Sequence, residues 1–147
     1  MSVVQILTTL EVREYLSDYA PQNLLIDGEE FTDTRINLAM TLAVDSYNLI
    51  PPGSGYGIQN FPSKGVLLYG TCFHLFTGQA ALLARNTMNY SDGGLQIPIE
   101  ERYQLYRDLA GNFNELFQAS GRALKTSMNM EDGWGEVRSD LSLFPQW

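Results

Sequence analysis

Cys72 and His74 are the residue types that could supply a nucleophile and a general base, and they stand two positions apart. On a helix this separation turns the two side chains about 200° away from each other, so they cannot form a catalytic pair. We expect a buried thiol and a hydrogen-bonded core imidazole instead. The sequence also lacks the G-x-S-x-G pattern of a nucleophile elbow. We therefore predict no catalytic residue, no cofactor and no enzyme activity.

The acidic segment at residues 27–33 has the composition of a calcium loop but not its spacing. Counting from Asp27, the fifth, sixth and twelfth positions are Phe31, Thr32 and Leu38, where an EF-hand needs an oxygen ligand, a glycine and a glutamate. We expect an acidic turn and then a helix start, where acids interact favourably with the helix dipole. One cysteine and one histidine also exclude a Cys/His zinc site, so no metal site is predicted.

The chain of 147 residues carries a net charge of −8, which argues against a protein that grips nucleic-acid phosphates with its surface. Residues 1–33 hold seven acids against Arg13, and residues 131–147 hold four acids against Arg138. The body between them is close to neutral. The bases of the fourth predicted helix are spread around it and are expected to be solvated: Arg102, Arg107, Arg122 and Lys125.

Residues 65–84 carry no formal charge, and a stretch of this length would span a bilayer. Gly70, His74 and Gln79 dilute the stretch, and no second apolar segment accompanies it. The first residues also lack the basic and apolar regions of a signal peptide. We therefore predict a buried central helix at about residues 63–86 and no membrane partner. Close helix approaches are expected at its small residues, so leucine in place of Gly78 is expected to overpack the core.

Start and stop signals predict four helices. Thr8 and Glu11 have the spacing of a capping box for the first helix, which Pro21 is expected to end. Thr32 or Asp33 caps the second helix, and Pro51 stops it together with the proline that follows. The buried side of this second helix is predicted to consist of Ile36, Ala39, Met40, Ala43, Val44 and Tyr47.

Ser63 caps the third helix, and Pro98 suits the first turn of a long fourth helix that reaches about residue 130. The fourth helix has a predicted apolar stripe formed by Leu105, Leu109, Phe113, Leu116, Phe117, Ala123, Leu124 and Met128. The pair Asp92 and Gly93 indicates a short β-hairpin or loop near 88–97. The predicted fold is therefore mainly all-α: a four-helix bundle domain over residues 1–130, followed by an extended C-terminal arm at residues 131–147.

The arm is apolar where a short irregular tail should be polar. Its large side chains are Trp134, Leu141, Leu143, Phe144 and Trp147. Such residues usually mark a surface that is covered by something else. The alternative is that the arm packs back onto its own bundle.

Five segments of the chain resemble virion neck proteins of tailed bacteriophages. They are LIDGEEFTD (25–33), AVDSYNLIPP (43–52), NFPS (60–63), AALLARNTMNYSDGGL (80–95) and MEDGWG (130–135). Their order and spacing carry the resemblance, which covers roughly residues 10–137.

The resemblance implies a head-to-tail connector, or adaptor. Such proteins are helical bundles that form a ring, usually twelvefold, beneath the portal, extend the DNA channel and offer a platform to the tail. The C-terminal extension of the family tends to engage the portal. The implied partners are further copies of the chain, the portal protein and a tail or tail-completion protein, while DNA passes through without specific binding.

The resemblance places this chain in the virion neck, and in the host cytoplasm during assembly. The hypothetical docking residues towards the portal or a neighbour are Trp134, Leu141, Leu143, Phe144 and Trp147, and a hypothetical loop at a subunit or tail interface contains Tyr90, Asp92, Gly93 and Gly94. A tail-side neck or tail-completion protein is the nearest alternative. A small cytoplasmic helical regulatory binding protein is an alternative of a different class.

Overall fold

The computed structural model describes residues 6–24, 26–86 and 99–133. Within these ranges the chain forms four α-helices and no strand: α1 (Thr9–Leu16), α2 (Asp33–Leu49), α3 (Lys64–Arg85) and α4 (Ile99–Gly133). A single 3₁₀ turn, Ile58–Asn60, lies between α2 and α3. The predicted mainly α-helical class is confirmed. The hairpin or loop predicted near 88–97 lies outside the described residues, as does the arm from residue 134 onward.

Side chains cap the first three helices at the predicted residues. The Thr8 hydroxyl accepts the Glu11 backbone N–H at 3.3 Å, and the Glu11 carboxylate accepts the Thr8 N–H at 2.9 Å, which completes the capping box. Thr32 and Ser63 cap α2 and α3 by accepting backbone N–H groups three residues ahead. These caps satisfy helix donors that would otherwise lack a partner.

Two helix ends differ from the predicted positions. The first helix stops at Leu16 and not at Pro21, because Ser17 adopts a left-handed conformation with φ 53° and its N–H bonds back to the Glu14 carbonyl. After this early stop the side chain of the next residue, Asp18, is buried. The last helix continues to Gly133, so α4 includes the first three residues of the predicted arm.

The core lies where α3 packs between α2 and α4. All six residues predicted for the inner side of α2 are buried, so that prediction is confirmed. Among the described residues, α3 is the one helix whose length and hydropathy would also suit a bilayer. Half of its most apolar stretch is buried inside the protein.

Gly70, and not Gly78, marks the tightest contact of α3. A Cβ atom at Gly70 would lie 2.7 Å from a ring carbon of Phe117 on α4 and 2.8 Å from the Ala43 Cβ on α2. Gly78 is exposed, and a Cβ there would meet only the Arg35 guanidinium at 3.6 Å. The prediction that leucine at Gly78 overpacks the core is therefore wrong.

Apolar residues on α1 and α4 extend beyond the sides that the core covers. On α1, Val12 is fully buried, whereas Leu10 and Tyr15 are exposed. On α4, Phe117 is fully buried and Leu109, Phe113 and Leu124 pack against the core from partly buried positions. Leu105, Leu116 and Ala123, which belong to the predicted apolar stripe, are exposed. The stripe is thus wider than the side of α4 that faces α3.

Candidate interaction surface

The structure does not bring Cys72 and His74 together as a catalytic pair. Cys72 belongs to the core, where burial raises the pKa of its thiol to about 12 and keeps it protonated at neutral pH. His74 is half-buried, and its Nε2 lies 3.2 Å from the Ser46 hydroxyl on α2. One residue therefore packs in the core while the other ties α3 to α2.

Burial lowers the pKa of His74 below its ordinary value of 6.5, partly offset by a hydrogen bond with the Leu42 backbone. The unfolded chain therefore takes up this proton first as the pH falls. We expect the contribution of His74 to stability to be complete above about pH 6.5 and to decline as the pH falls through its folded-state pKa. His74→Gln should lose less free energy of unfolding than the parent between pH 7.5 and 5.

Urea unfolding of both proteins across this pH range measures the difference, and the carboxylates that titrate in both proteins largely cancel. Equal acid sensitivity of the two proteins would contradict a buried, neutral imidazole.

Arg13 forms ion pairs with three acids of the N-terminal third of the chain. Its Nη1 lies 3.2 Å from Asp18 Oδ2 and 3.0 Å from Glu29 Oε2, and its Nη2 lies 2.7 Å from Asp33 Oδ1. The acidic segment at 27–33 thus supplies two partners of one buried guanidinium. In the part of the chain that the structure describes, no group of three His, Cys, Asp or Glu side chains is arranged to hold a metal ion.

Asp18 ties the loop between α1 and α2 to Arg13. Besides the ion pair, its carboxylate accepts hydrogen bonds from the Asn23 side chain and from the backbone N–H groups of Glu30 and Phe31, at 2.7–3.0 Å. Sequence reasoning missed this network. One feature of the sequence could have indicated the network: Arg13 is the only base among the first 33 residues, which also contain seven acids.

Lys125 is also structural, although α4 was expected to present its bases to solvent. Its amine is buried and donates to the Ile50 and Pro52 carbonyls, the second at 2.7 Å. It also lies 4.7 Å from the ring centre of Tyr47. The prediction of a solvated base is wrong for this residue, which instead fixes the end of α2 against α4.

One side of α4 carries a row of exposed apolar residues, interrupted by the exposed Asn112 between Leu105 and Leu116. Leu105, Leu116 and Met130 are 59%, 47% and 56% exposed, and the exposed Ala119 and Ala123 lie between the last two. The spacings of eleven, three, four and seven residues place these five side chains along one side of a helix. We call these five residues the outer face of α4.

A second, smaller apolar surface lies on α2. Leu38, Leu42 and Leu49 are spaced by four and seven residues, and all three are exposed, Leu49 to 81%. We call these three residues the α2 leucine face. The exposed Asp45 lies between Leu42 and Leu49 on the same side of the helix. Exposed leucines at this density are typical of surfaces that other chains cover. One subunit therefore presents two apolar surfaces on two different helices.

The residues predicted to form the interaction site lie outside the described residues. They are Trp134, Leu141, Leu143, Phe144 and Trp147 in the arm and Tyr90, Asp92, Gly93 and Gly94 in the predicted loop. No family of known proteins, curated protein or solved structure matches this chain.

Proposed function

We propose that the protein is a structural, non-catalytic component of a tailed-bacteriophage neck: a head-to-tail connector that forms a ring beneath the portal. The observation that carries the proposal is the pair of exposed apolar surfaces, the outer face of α4 and the α2 leucine face, on different helices of one subunit. A neck subunit must contact its neighbours in the ring and also the layers above and below it. A protein with such contacts needs more than one apolar surface.

Ring symmetry imposes a specific demand on these surfaces. A closed ring repeats one heterologous contact, in which one surface of each subunit meets a different surface of the next. The subunit also contacts the layers above and below the ring, so it needs a further surface besides those that form the repeated contact. Two apolar surfaces on separate helices support such an arrangement better than a single self-complementary patch, which would favour a two-fold dimer.

Charge supports the proposal in a limited way. Arg13 pairs with three acids, and Lys64 lies 2.5 Å from Glu11, so part of the acidic N-terminal third is neutralised within the subunit. Attraction between the acidic N-terminal third of one subunit and the rest of another is therefore a weak source of subunit contacts. A net charge of −8 still suits a channel that lets DNA pass without holding its phosphates.

Purified virions test the proposal directly. We expect mass spectrometry to detect the chain at the copy number of one ring, twelve if the resemblance extends to symmetry, and electron microscopy to place it between portal and tail. Density on the tail side of the joint would identify a tail-completion protein instead. A soluble monomer that is absent from virions would contradict the proposal and favour the regulatory binding protein.

Removal of the arm tests genetically whether the residues after Met130 are needed to assemble the neck. Truncation after Met130 is expected to leave the helices folded, because the described core lies within residues 6–128, and to produce heads without tails. Circular dichroism of the truncated chain controls for folding. Normal tailed virions in parental numbers would show that the arm is dispensable.

A further inference from the structure

We propose that the outer face of α4 is the docking site for residues 134–147 of a neighbouring copy of the chain. The inference rests on the proposed ring, which places copies of the chain next to one another. It names the two surfaces that would form the repeated contact: the arm of one subunit and the outer face of α4 of the other.

The outer face combines large and small apolar side chains, so an aromatic side chain could pack over the small ones. Leu116 and Met130 are large, while Ala119 and Ala123 between them are small, and all four are exposed. The two alanines have much smaller side chains than the apolar residues on either side of them. Tryptophan and phenylalanine side chains bury much area for little lost rotamer freedom, and such anchors often dominate interfaces.

The length of the arm matches the length of the face. Fourteen residues follow Gly133, and in extended conformation they reach about 46 Å. Leu105 and Met130 are separated by 25 residues of one helix, which corresponds to about 38 Å. One arm is therefore long enough to run along the whole face.

The sequence of the arm is amphipathic when it is considered as an extended segment. The odd positions include Val137, Leu141, Leu143 and Trp147, whereas the even positions include Glu136, Arg138, Asp140 and Gln146. In an extended chain alternate side chains point to opposite sides, so this order gives one apolar edge and one polar edge. Trp134 and Phe144 are the exceptions among the even positions. An apolar edge of this kind fits a long apolar helix side.

A neighbouring copy fits the arm better than its own subunit does. The arm leaves from the end of α4, so it can lie on its own outer face only if the chain reverses direction directly after Gly133. Reaching the next subunit requires no such reversal where successive α4 helices of the ring lie head to tail. Because arm and face are different surfaces, their contact is heterologous and propagates around a ring.

Three full-length variants test the docking in solution by sedimentation velocity. Leu116→Arg places a charge on the outer face, and the double variant Leu143→Glu with Trp147→Glu removes the apolar edge of the arm. We expect the parent to assemble and each variant to sediment as a monomer. Asn129→Arg adds the same charge to an exposed position of α4 that lies about 100° around the helix from Met130, off the outer face, and it should assemble like the parent.

Mixing the two disrupted proteins distinguishes the neighbouring copy from the same chain. Leu116→Arg keeps an intact arm and the double variant keeps an intact face, so together they should form a 1:1 dimer and nothing larger. If the two variants still sediment as monomers after mixing, docking between copies is overturned, and the arm covers its own α4. Assembly by either variant alone would also overturn it. Neither result affects the presence of the chain in virions, which tests the proposed function separately.

Discussion

Replacing Asp18 with alanine is expected to lower the free energy of unfolding by about 3–5 kcal/mol. The side chain is 4% exposed, and its carboxylate is the acceptor for Arg13, for Asn23 and for the backbone N–H groups of Glu30 and Phe31. Alanine would leave two backbone donors without their partner and remove one of three counter-charges from a buried guanidinium. Buried groups that lose their partners account for the largest effects of single substitutions.

Asp27→Ala is the matched control for Asp18→Ala, because Asp27 lies in the same loop and is exposed. It should change stability by no more than about 0.5 kcal/mol. Asp18→Asn retains the size of the side chain and one acceptor oxygen, and it should fall between the two. Urea denaturation followed by circular dichroism gives all three values. A loss below about 1 kcal/mol for Asp18→Ala would show that the network around Arg13 contributes little to folding.

The parts of the fold that the sequence predicted correctly are those determined by residues close together in the chain. The capping box at Thr8 and Glu11 spans three residues, and the buried side of α2 follows from apolar residues repeated at helical spacing. Both signals are local, so a single sequence contains them completely. The end of α1 was wrong because the left-handed Ser17 has no such signal.

The polar networks could not be predicted because their partners are remote in the chain. Arg13 and Asp33 are 20 residues apart, and Lys125 bonds to carbonyls 73 and 75 residues away. Spacing along a sequence does not indicate such contacts. A single base among many acids, as at Arg13, is the only signal of such a network that the composition contains.

The exposed apolar residues of α4 could not be predicted either, because exposure depends on contacts with parts of the chain that are remote in sequence. Helical spacing identified Leu105 and Leu116 as apolar positions, but spacing alone does not show that α3 covers only part of the stripe. The exposed remainder became visible only when the helices were packed together. The candidate interaction surface is therefore a property of the tertiary structure, whereas the arm proposed to cover it was recognised from composition.

Gly70 should be the least tolerant glycine of α3, and Gly70→Leu is expected to destabilise the protein by about 3 kcal/mol. The Cβ atom alone would lie within 3 Å of both the Phe117 ring on α4 and Ala43 on α2. Neither neighbour can give way easily, because Phe117 and Ala43 are both fully buried in the core. Overpacking at this point therefore forces α2 and α4 away from α3.

Gly78→Leu provides the matched control, since it is the same substitution in the same helix. Its Cβ would meet only the Arg35 guanidinium at 3.6 Å, and replacing glycine within a helix improves helix propensity by up to about 1 kcal/mol. We expect the Gly78 variant to be as stable as the parent or slightly more stable, with the difference between the two variants exceeding 3 kcal/mol. Thermal and urea unfolding measure both. Equal stabilities of the two variants would mean that α3 does not lie closely between α2 and α4 at Gly70.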